Sequence, residues 1–248
     1  MARRASYIKQ VRQAEGQILL LDAGDELLDP EANQSIDGKK VVRVARALGA
    51  MHYDAVAAGE AELLAAGLSE NGWAEAIQTP ILGANLQGGD GLLPHLPYIS
   101  KVVSGVRVAV IGALSPEVAS AAAIPDSGTQ ADPMSRALAE QLGQVRPEAD
   151  LIVLLLHGTF EEGQALAAEL EGVDVVIVGH RALLPRTSTR IGDTLLVQVG
   201  SEGKYVGRLK LRVSGPGRVA VLEDEQVLLK PTIPDDPIVA SLLDLGNR

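Results

Sequence analysis

The chain has 248 residues, enough for one large domain or two small ones. Hydrophobic residues make up 46% of it, which supplies a packed core and excludes a disordered chain. A net charge of −10 and an aromatic content of 2% argue against a nucleic-acid partner, which needs positive charge and stacking surfaces. The absence of cysteine excludes disulfides, zinc fingers, iron–sulfur clusters and thiol nucleophiles.

The N-terminal sequence MARRASYIKQ is basic, but no apolar run of a secretory signal follows it. Residues 2–14 have the spacing of an amphipathic helix, with Ala5, Ile8 and Val11 on one side and Arg4 and the other basic residues elsewhere. The longest apolar runs, such as residues 151–156, are too short to cross a bilayer. We therefore expect no membrane association and a cytoplasmic location.

The first two-thirds of the chain alternates predicted strands and helices. The predicted strands cover residues 18–21, 53–59, 80–85, 98–103, 106–111, 151–156 and 173–178. The predicted helices cover residues 38–50, 60–79, 133–146 and 161–171. Continuous apolar strands that alternate with helices predict a sheet that is buried on both faces.

The last third is rich in predicted strands. Residues 194–199, 205–213 and 219–229 alternate apolar and polar side chains, which predicts antiparallel strands. The short basic run 186–190 is interpreted as a solvated loop, and residues 234–245 as a closing helix. No repeat or linker divides the chain, so we predict a single α/β domain over residues 1–248.

Polar residues follow the apolar strands at the points where those strands stop. These are Asp22 and Asp25, Glu60 and Glu62, His157 and His180, and each of the four strand ends also carries a glycine. Ligands of α/β sheets bind at the carboxyl ends of strands, so these residues are candidate metal ligands. Each also has a structural interpretation, as a turn former, a helix N-terminal carboxylate or a hydrogen-bonded histidine. His52 and His95 lack this context and are interpreted as helix-end and loop residues.

Seven segments in order resemble the metallophosphatase domain of the bacterial 5'-nucleotidase/UDP-sugar hydrolase family, within the calcineurin-like phosphoesterase superfamily. They are LLLDAGD (19–25), MHYDAVAAGEAEL (51–63), PILGANL (80–86), VRVAVIGALSPE (106–117), LIVLLLHG (151–158), VDVVIVGH (173–180) and LLVQVGSEGKYVGRLKL (195–211). The resemblance implies a four-layer α/β/β/α sandwich. It also implies that the first strand of the family, which carries a D-x-H motif, is missing, and that no C-terminal nucleotide-specificity domain is present.

The chemistry of the family requires two metal ions, and the resemblance implies that one of these sites survives. Its ligands would be Asp25, which bridges the ions in the family, together with Glu60, His157 and His180. Glu60 stands where the family has asparagine. The other site loses both D-x-H ligands, and Ala182 stands at a further ligand position.

The catalytic pair of the family is also replaced. Its motif G-N-H-E-F-D reads GEAELL here, so Ala61 stands for the histidine and Leu64 for the aspartate. Glu62 is the only match in that segment after the glycine and is a candidate general base.

Three hypotheses remain open. The first is a degenerate, inactive or weakly active metallophosphatase-like domain with one divalent ion, Zn, Mn or Fe. The second is an active phosphoester hydrolase with a rearranged or one-metal site that uses Asp22, Asp29, Glu62 or Arg181. The third is a shortened product whose open sheet edge is covered by a second copy or a protein partner. A small phosphorylated ligand is expected in the first two cases.

Overall fold

The computed structural model describes residues 1–27, 37–67, 72–87, 93–121, 130–180, 186–200 and 203–244. In these ranges the helices are Ala2–Glu15 (α1), Gly38–Met51 (α2), Glu60–Ala66 (α3), Trp73–Ile77 (α4), Pro116–Ala121 (α5), Met134–Val145 (α6), Phe160–Glu169 (α7) and Pro237–Asp244 (α8). The strands are Leu21–Asp22 (β1), Ala55–Ala57 (β2), Ile81–Leu82 (β3), Leu86–Gln87 (β4), Tyr98–Val103 (β5), Val106–Leu114 (β6), Gln130–Ala131 (β7), Leu151–His157 (β8), Val175–Val178 (β9), Arg186–Ile191 (β10), Thr194–Gln198 (β11), Tyr205–Val213 (β12) and Val219–Leu228 (β13).

The larger sheet has six strands in the order β10-β11-β9-β8-β6-β5. Its four central strands are parallel, and the edge strands β5 and β10 are antiparallel to their neighbours. All seven residues of β8 are buried, as its uninterrupted apolar sequence predicts for a strand covered on both faces.

A second set of strands faces this sheet. The strands β1, β2 and β3 form a short parallel sheet in that order, and β12 pairs with β13 as an antiparallel hairpin. The antiparallel prediction for residues 205–213 and 219–229 is therefore confirmed. The prediction for residues 194–199 is half right, because β11 is antiparallel to β10 but parallel to β9.

Three apolar clusters lie between four layers. Helices α1, α2, α3, α4 and α8 pack on one face of the three-stranded sheet, with Leu48 and Val56 in that cluster. Side chains of both sheets, such as Ala55 and Val153, meet in the middle cluster. Helices α6 and α7 cover the outer face of the six-stranded sheet through residues such as Leu138. The predicted four-layer α/β/β/α architecture is confirmed.

Several predicted elements differ in extent from those observed; the predicted strand 80–85, for example, covers only Ile81–Leu82. The predicted strand 18–21 is wrong for most of its length, because only Leu21–Asp22 pairs, with Ala55 and Val56 of β2. The predicted helix 60–79 is interrupted, since α3 ends at Ala66 and α4 begins at Trp73. Gly72, which precedes α4, has a φ of 65°, a left-handed backbone that suits glycine and starts a new helix.

The basic run 186–190, interpreted as a solvated loop, is instead strand β10. It pairs with β11 from Arg190↔Leu195 to Arg186↔Gln198, with a register shift between Arg186 and Thr189. The sequence did not predict this strand because its charged residues were taken as a sign of a loop. An edge strand tolerates charged side chains that face solvent.

A cavity of about 1830 Å³ lies between the two sheets. Strand β1 and strand β12 border it, helix α1 covers it, and the inner face of the six-stranded sheet forms its floor. One edge of β1 has no strand partner in the described chain, nor does one edge of β12. Among the described helices, none is both long and apolar enough to span a membrane.

Candidate metal centre

Four predicted ligands come together where strands of both sheets end. Asp25 follows β1, Glu60 begins α3 directly after β2, His157 ends β8, and His180 follows β9. One donor atom from each lies within 4.8 Å of the donor atoms of the other three. The convergence expected from four strand ends is therefore present, and it unites two carboxylates from one sheet with two imidazoles from the other.

His157 lies at the bottom of the group and is fully buried. Its Nδ1 is 2.6 Å from the carbonyl oxygen of Ala23. Its Nε2 contacts a carboxylate oxygen of Glu60 and lies 3.3 Å from Oδ2 of Asp25. All three neighbours are acceptors, so the metal-free ring carries a proton on both nitrogens. Burial alone lowers the pKa of His157, but the hydrogen bonds and charges of Asp25 and Glu60 raise it well above its usual value.

Glu60 connects the two histidines. Its second carboxylate oxygen lies 3.3 Å from Nδ1 of His180, and the rings of His157 and His180 meet edge to face at 5.2 Å. Burial would raise the pKa of Glu60, but hydrogen bonds from both imidazoles hold it below its usual range. Glu60 therefore stays ionised and offers an oxygen on each side.

The backbone at the group is held in an uncommon conformation. Asp25 has a φ of 65° and His180 a φ of 68°, in the left-handed region that side-chain-bearing residues rarely occupy. The two turns press against each other: a Cβ on Gly179 would come within 2.2 Å of the carbonyl oxygen of Ala23. Glycine at 179 therefore allows the β9 turn to reach the β1 turn.

Glu62 is fully buried and holds the Asp25 turn against helix α3. One of its oxygens accepts the backbone N–H groups of Asp25 and Gly59, both at 2.9 Å. The other accepts those of Glu26 at 3.2 Å and Leu27 at 3.4 Å. Burial and the neighbouring Asp25 carboxylate raise the pKa of Glu62 to about 7. Its contacts favour a positioning role, and its predicted role as a general base stays a prediction.

Sequence reasoning missed a buried ion cluster on the other side of the same turn. The prediction that Arg4 lies away from the buried side of α1 is wrong, because Arg4 is only 7% exposed. Its Nη1 lies 2.5 Å from Glu26, 3.2 Å from the hydroxyl of Tyr53 and 3.7 Å from Asp22. The signal was available: Arg4 precedes Ile8 by four residues and so shares its face.

The other predicted positions have mixed outcomes. Ala61 is buried, and its backbone N–H donates to Oδ1 of Asp25 at 2.9 Å. Leu64 is partly buried and borders the cavity between the sheets. Asp22 is engaged by Arg4. Three of the named positions lie outside the described residues, namely Asp29, Arg181 and Ala182.

The two remaining histidines lie where the sequence placed them. His52 is the left-handed C-cap of α2, and His95 lies in the segment before β5, with Nδ1 2.8 Å from the carbonyl oxygen of Leu93. Neither belongs to the group of four ligands.

The donor set fits a divalent cation. Two imidazoles and two carboxylates are ligands that Zn, Mn and Fe accept. His157 has the outer hydrogen bond typical of a metal ligand, since Nδ1 is fixed by a carbonyl and Nε2 faces the carboxylates. In the metal-free protein a proton occupies that Nε2, and a cation would take its place. The identity and number of the ions stay open.

The fold and this group together define the class, which is the calcineurin-like phosphoesterase fold. A calcineurin-like phosphoesterase of Bacillus subtilis superposes with a TM-score of 0.77 at 20% identity, over 100% of this chain and 88% of that one. The sulfate thiohydrolase SoxB of Thermus thermophilus superposes with a TM-score of 0.81 at 25% identity, over 98% of this chain and 46% of that one.

Within that class, the chain is related to the 5'-nucleotidases. It is 28% identical to the 5'-nucleotidase of Bos taurus over 275 aligned residues, which cover 96% of this chain and 45% of the relative. The chain therefore spans about half the length of the curated relatives it matches. No family model matches it. The predicted resemblance to the metallophosphatase domain of this family is confirmed.

Proposed function

We propose that the chain is a 5'-nucleotidase-like metallophosphatase domain that keeps one divalent ion and is inactive or weakly active as a hydrolase. The observation that carries the proposal is the convergence of Asp25, Glu60, His157 and His180 within 4.8 Å. The bound ion would polarise a phosphoryl oxygen and lower the pKa of a water molecule. A small phosphorylated ligand is the class of molecule that such a site would hold.

Weak activity follows from the side chains beside the group. Ala61 and Leu64 stand where the related family carries a histidine and its orienting aspartate, and neither side chain can donate a hydrogen bond or move a proton. The loss of one positioned donor to a transition state raises its barrier by about 2.7–4 kcal/mol in studied enzymes. The loss of a second ion would add to that.

The alternative is an active phosphoester hydrolase with one metal. Zinc enzymes hydrolyse with one ion and a carboxylate base, so the donor set permits it. Glu62, the candidate base, already accepts four backbone N–H groups, which favours a positioning role over proton transfer. The neighbouring carboxylates of Asp22 and Glu26 are paired with Arg4, which favours the first proposal.

The test is elemental analysis of protein purified without chelator. Asp25→Asn and His180→Asn exchange a carboxylate and an imidazole for a more weakly binding amide, and asparagine keeps the left-handed backbone that both positions need. His52→Asn is the matched control, because His52 has a φ of 53° but lies outside the group. We expect about one ion per chain in the wild type and the control, and a clear loss in both ligand variants. A metal-free wild type would refute the proposal.

Phosphatase assays then separate the two hypotheses. The metal-loaded protein would be assayed with p-nitrophenyl phosphate and with AMP, with His180→Asn as the blank. Turnover no faster than in the blank supports the degenerate site. Turnover at the rate of an ordinary enzyme, about 1–10³ per second, supports the active alternative.

One edge of β1 and one edge of β12 lack a strand partner among the described residues, which leads to a separate proposal about partners. Exposed strand edges favour pairing with another chain. We propose that a second copy or a protein partner covers the edge of β1, and light scattering at micromolar concentration tests the first case. A cytoplasmic location stays a prediction.

A further inference from the structure

We propose that Arg4 of helix α1 is a positioning residue that holds Asp25 in its metal-binding conformation. The inference rests on the proposed function, since it takes Asp25 to be a metal ligand. Arg4 acts through the residues on either side of Asp25, namely Asp22 and Glu26.

The contacts of Arg4 bracket the turn. Its Nη1 lies 2.5 Å from Oε1 of Glu26, the residue after Asp25, and 3.7 Å from Oδ2 of Asp22, three residues before it. The hydroxyl of Tyr53 adds a third contact at 3.2 Å. Arg4 is only 7% exposed, so its guanidinium is held inside the protein and does not move freely in solvent.

The turn needs this support because its backbone is strained. Gly24 has a φ of 96° and Asp25 a φ of 65°. A non-glycine residue keeps such a conformation only where its surroundings enforce it. Glu62 holds the turn from the α3 side through the N–H groups of Asp25 and Glu26, and Arg4 holds it from the α1 side. The two anchors act on different groups, so neither replaces the other.

Arg4 also decides which carboxylates are available to a cation. Asp22 and Glu26 are near neighbours of Asp25, and all three border the same cavity. With Arg4 in place, two of them are occupied by a buried cation, and Asp25 is left to face His157. Without Arg4, Asp22 and Glu26 would lose the cation that pairs with both, and their stronger mutual repulsion would disturb the turn that carries Asp25.

The experiment compares Co²⁺ binding by the wild type, Arg4→Met, Arg4→Lys and Arg3→Met. Methionine keeps much of the apolar stem and removes the charge. Arg3 is the matched control, since it is next in the helix but exposed and paired only at 3.7 Å with Asp235. Each variant is first shown to be folded by urea unfolding without metal. The visible spectrum of bound Co²⁺ reports the ligand geometry, and titration gives the Kd.

We expect Arg4→Met to bind Co²⁺ 10- to 100-fold more weakly, as changes to residues that orient metal ligands do. The absorption bands should shift as well. Arg4→Lys should recover part of the affinity, because its ammonium restores the positive charge but not the planar set of N–H donors of a guanidinium. Arg3→Met should match the wild type. A merely structural role of Arg4 would lower the free energy of unfolding without changing the Co²⁺ spectrum.

An unchanged Kd and spectrum in folded Arg4→Met would overturn the inference and leave the proposed function intact. If the wild type binds no Co²⁺, the proposed function fails, and the inference fails with it. If Arg4→Met does not fold, Glu26→Gln decides: it removes the negative charge that pairs with Arg4 and leaves α1 unchanged. The same spectral shift in Glu26→Gln supports the inference, and a wild-type spectrum refutes it.

Discussion

Replacement of Glu62 by alanine should be among the most damaging single changes to this chain. The carboxylate is fully buried and accepts four backbone N–H groups, three of them at 3.2 Å or less. Above pH 7, where the Glu62 carboxylate is ionised, a hydrogen bond to this charged group contributes about 1.5–3 kcal/mol. The N–H groups of Asp25 and Glu26 are only partly buried and can form hydrogen bonds to water in the variant. The lower value of about 1.5 kcal/mol per hydrogen bond therefore applies. Three bonds at about 1.5 kcal/mol each then give a loss of about 4.5 kcal/mol in the free energy of unfolding.

Urea denaturation in the presence of chelator measures this loss, because the chelator removes any contribution from bound metal. Glu75→Ala is the matched control: Glu75 is also a glutamate in the first turn of a helix, but it is exposed. A surface change of this kind should stay within about 0.5 kcal/mol of the wild type. A loss of less than 1 kcal/mol for Glu62→Ala would mean that the four hydrogen bonds do not hold the turn.

Three further outcomes are expected. In Gly179→Ala the new Cβ would approach the carbonyl oxygen of Ala23 to 2.2 Å, so the free energy of unfolding should fall by about 3 kcal/mol and metal binding should weaken. In the control Gly143→Ala the new Cβ meets no atom within 4 Å, so neither quantity should fall. Calorimetry of both variants checks this. A divalent ion at 100 times its Kd should raise the free energy of unfolding by about 2.7 kcal/mol in the wild type and by much less in His180→Asn, and equal shifts would place the ion elsewhere. In metal-free protein the pKa of Glu62 is raised to about 7, so its contribution to stability is present below the pKa of the unfolded chain and is lost as pH rises through 7. The wild type should therefore lose up to about 3 kcal/mol relative to Glu62→Gln between pH 5 and pH 8, and a constant difference would contradict the assigned shift.

The four candidate ligands could be predicted because their signal is local. Each follows an apolar strand, and the carboxyl ends of parallel strands lie at one edge of a sheet. The sequence did not say that the ligands belong to two different sheets, since strand order across sheets is set by long-range packing. It also did not show that Asp25 and His180 adopt left-handed backbones, because neither residue type demands that conformation.

The supporting residues were harder to predict for a physical reason. Arginine is mostly exposed in proteins, so Arg4 was assigned to the polar side of α1, although its partners Glu26 and Tyr53 explain its burial. The four backbone N–H groups that Glu62 accepts could not be predicted either, because three of them belong to residues 25–27, which are distant from Glu62 in the sequence. Strand β10 was missed because its charges masked the pairing. The burial of a charged side chain and the pairing of an edge strand both depend on residues that are distant in the sequence.

The origin of the ligands gives a bound ion a mechanical role. Asp25 and Glu60 follow strands of the three-stranded sheet, whereas His157 and His180 follow strands of the six-stranded sheet. One ion held by all four would cross-link the sheets on the side where the cavity separates them. This cross-link would limit how far β1 and α3 can move away from β8 and β9. Hydrogen exchange of the amides in β1 and α3 should then slow on metal addition more than exchange in β8, whose strand is already covered on both faces.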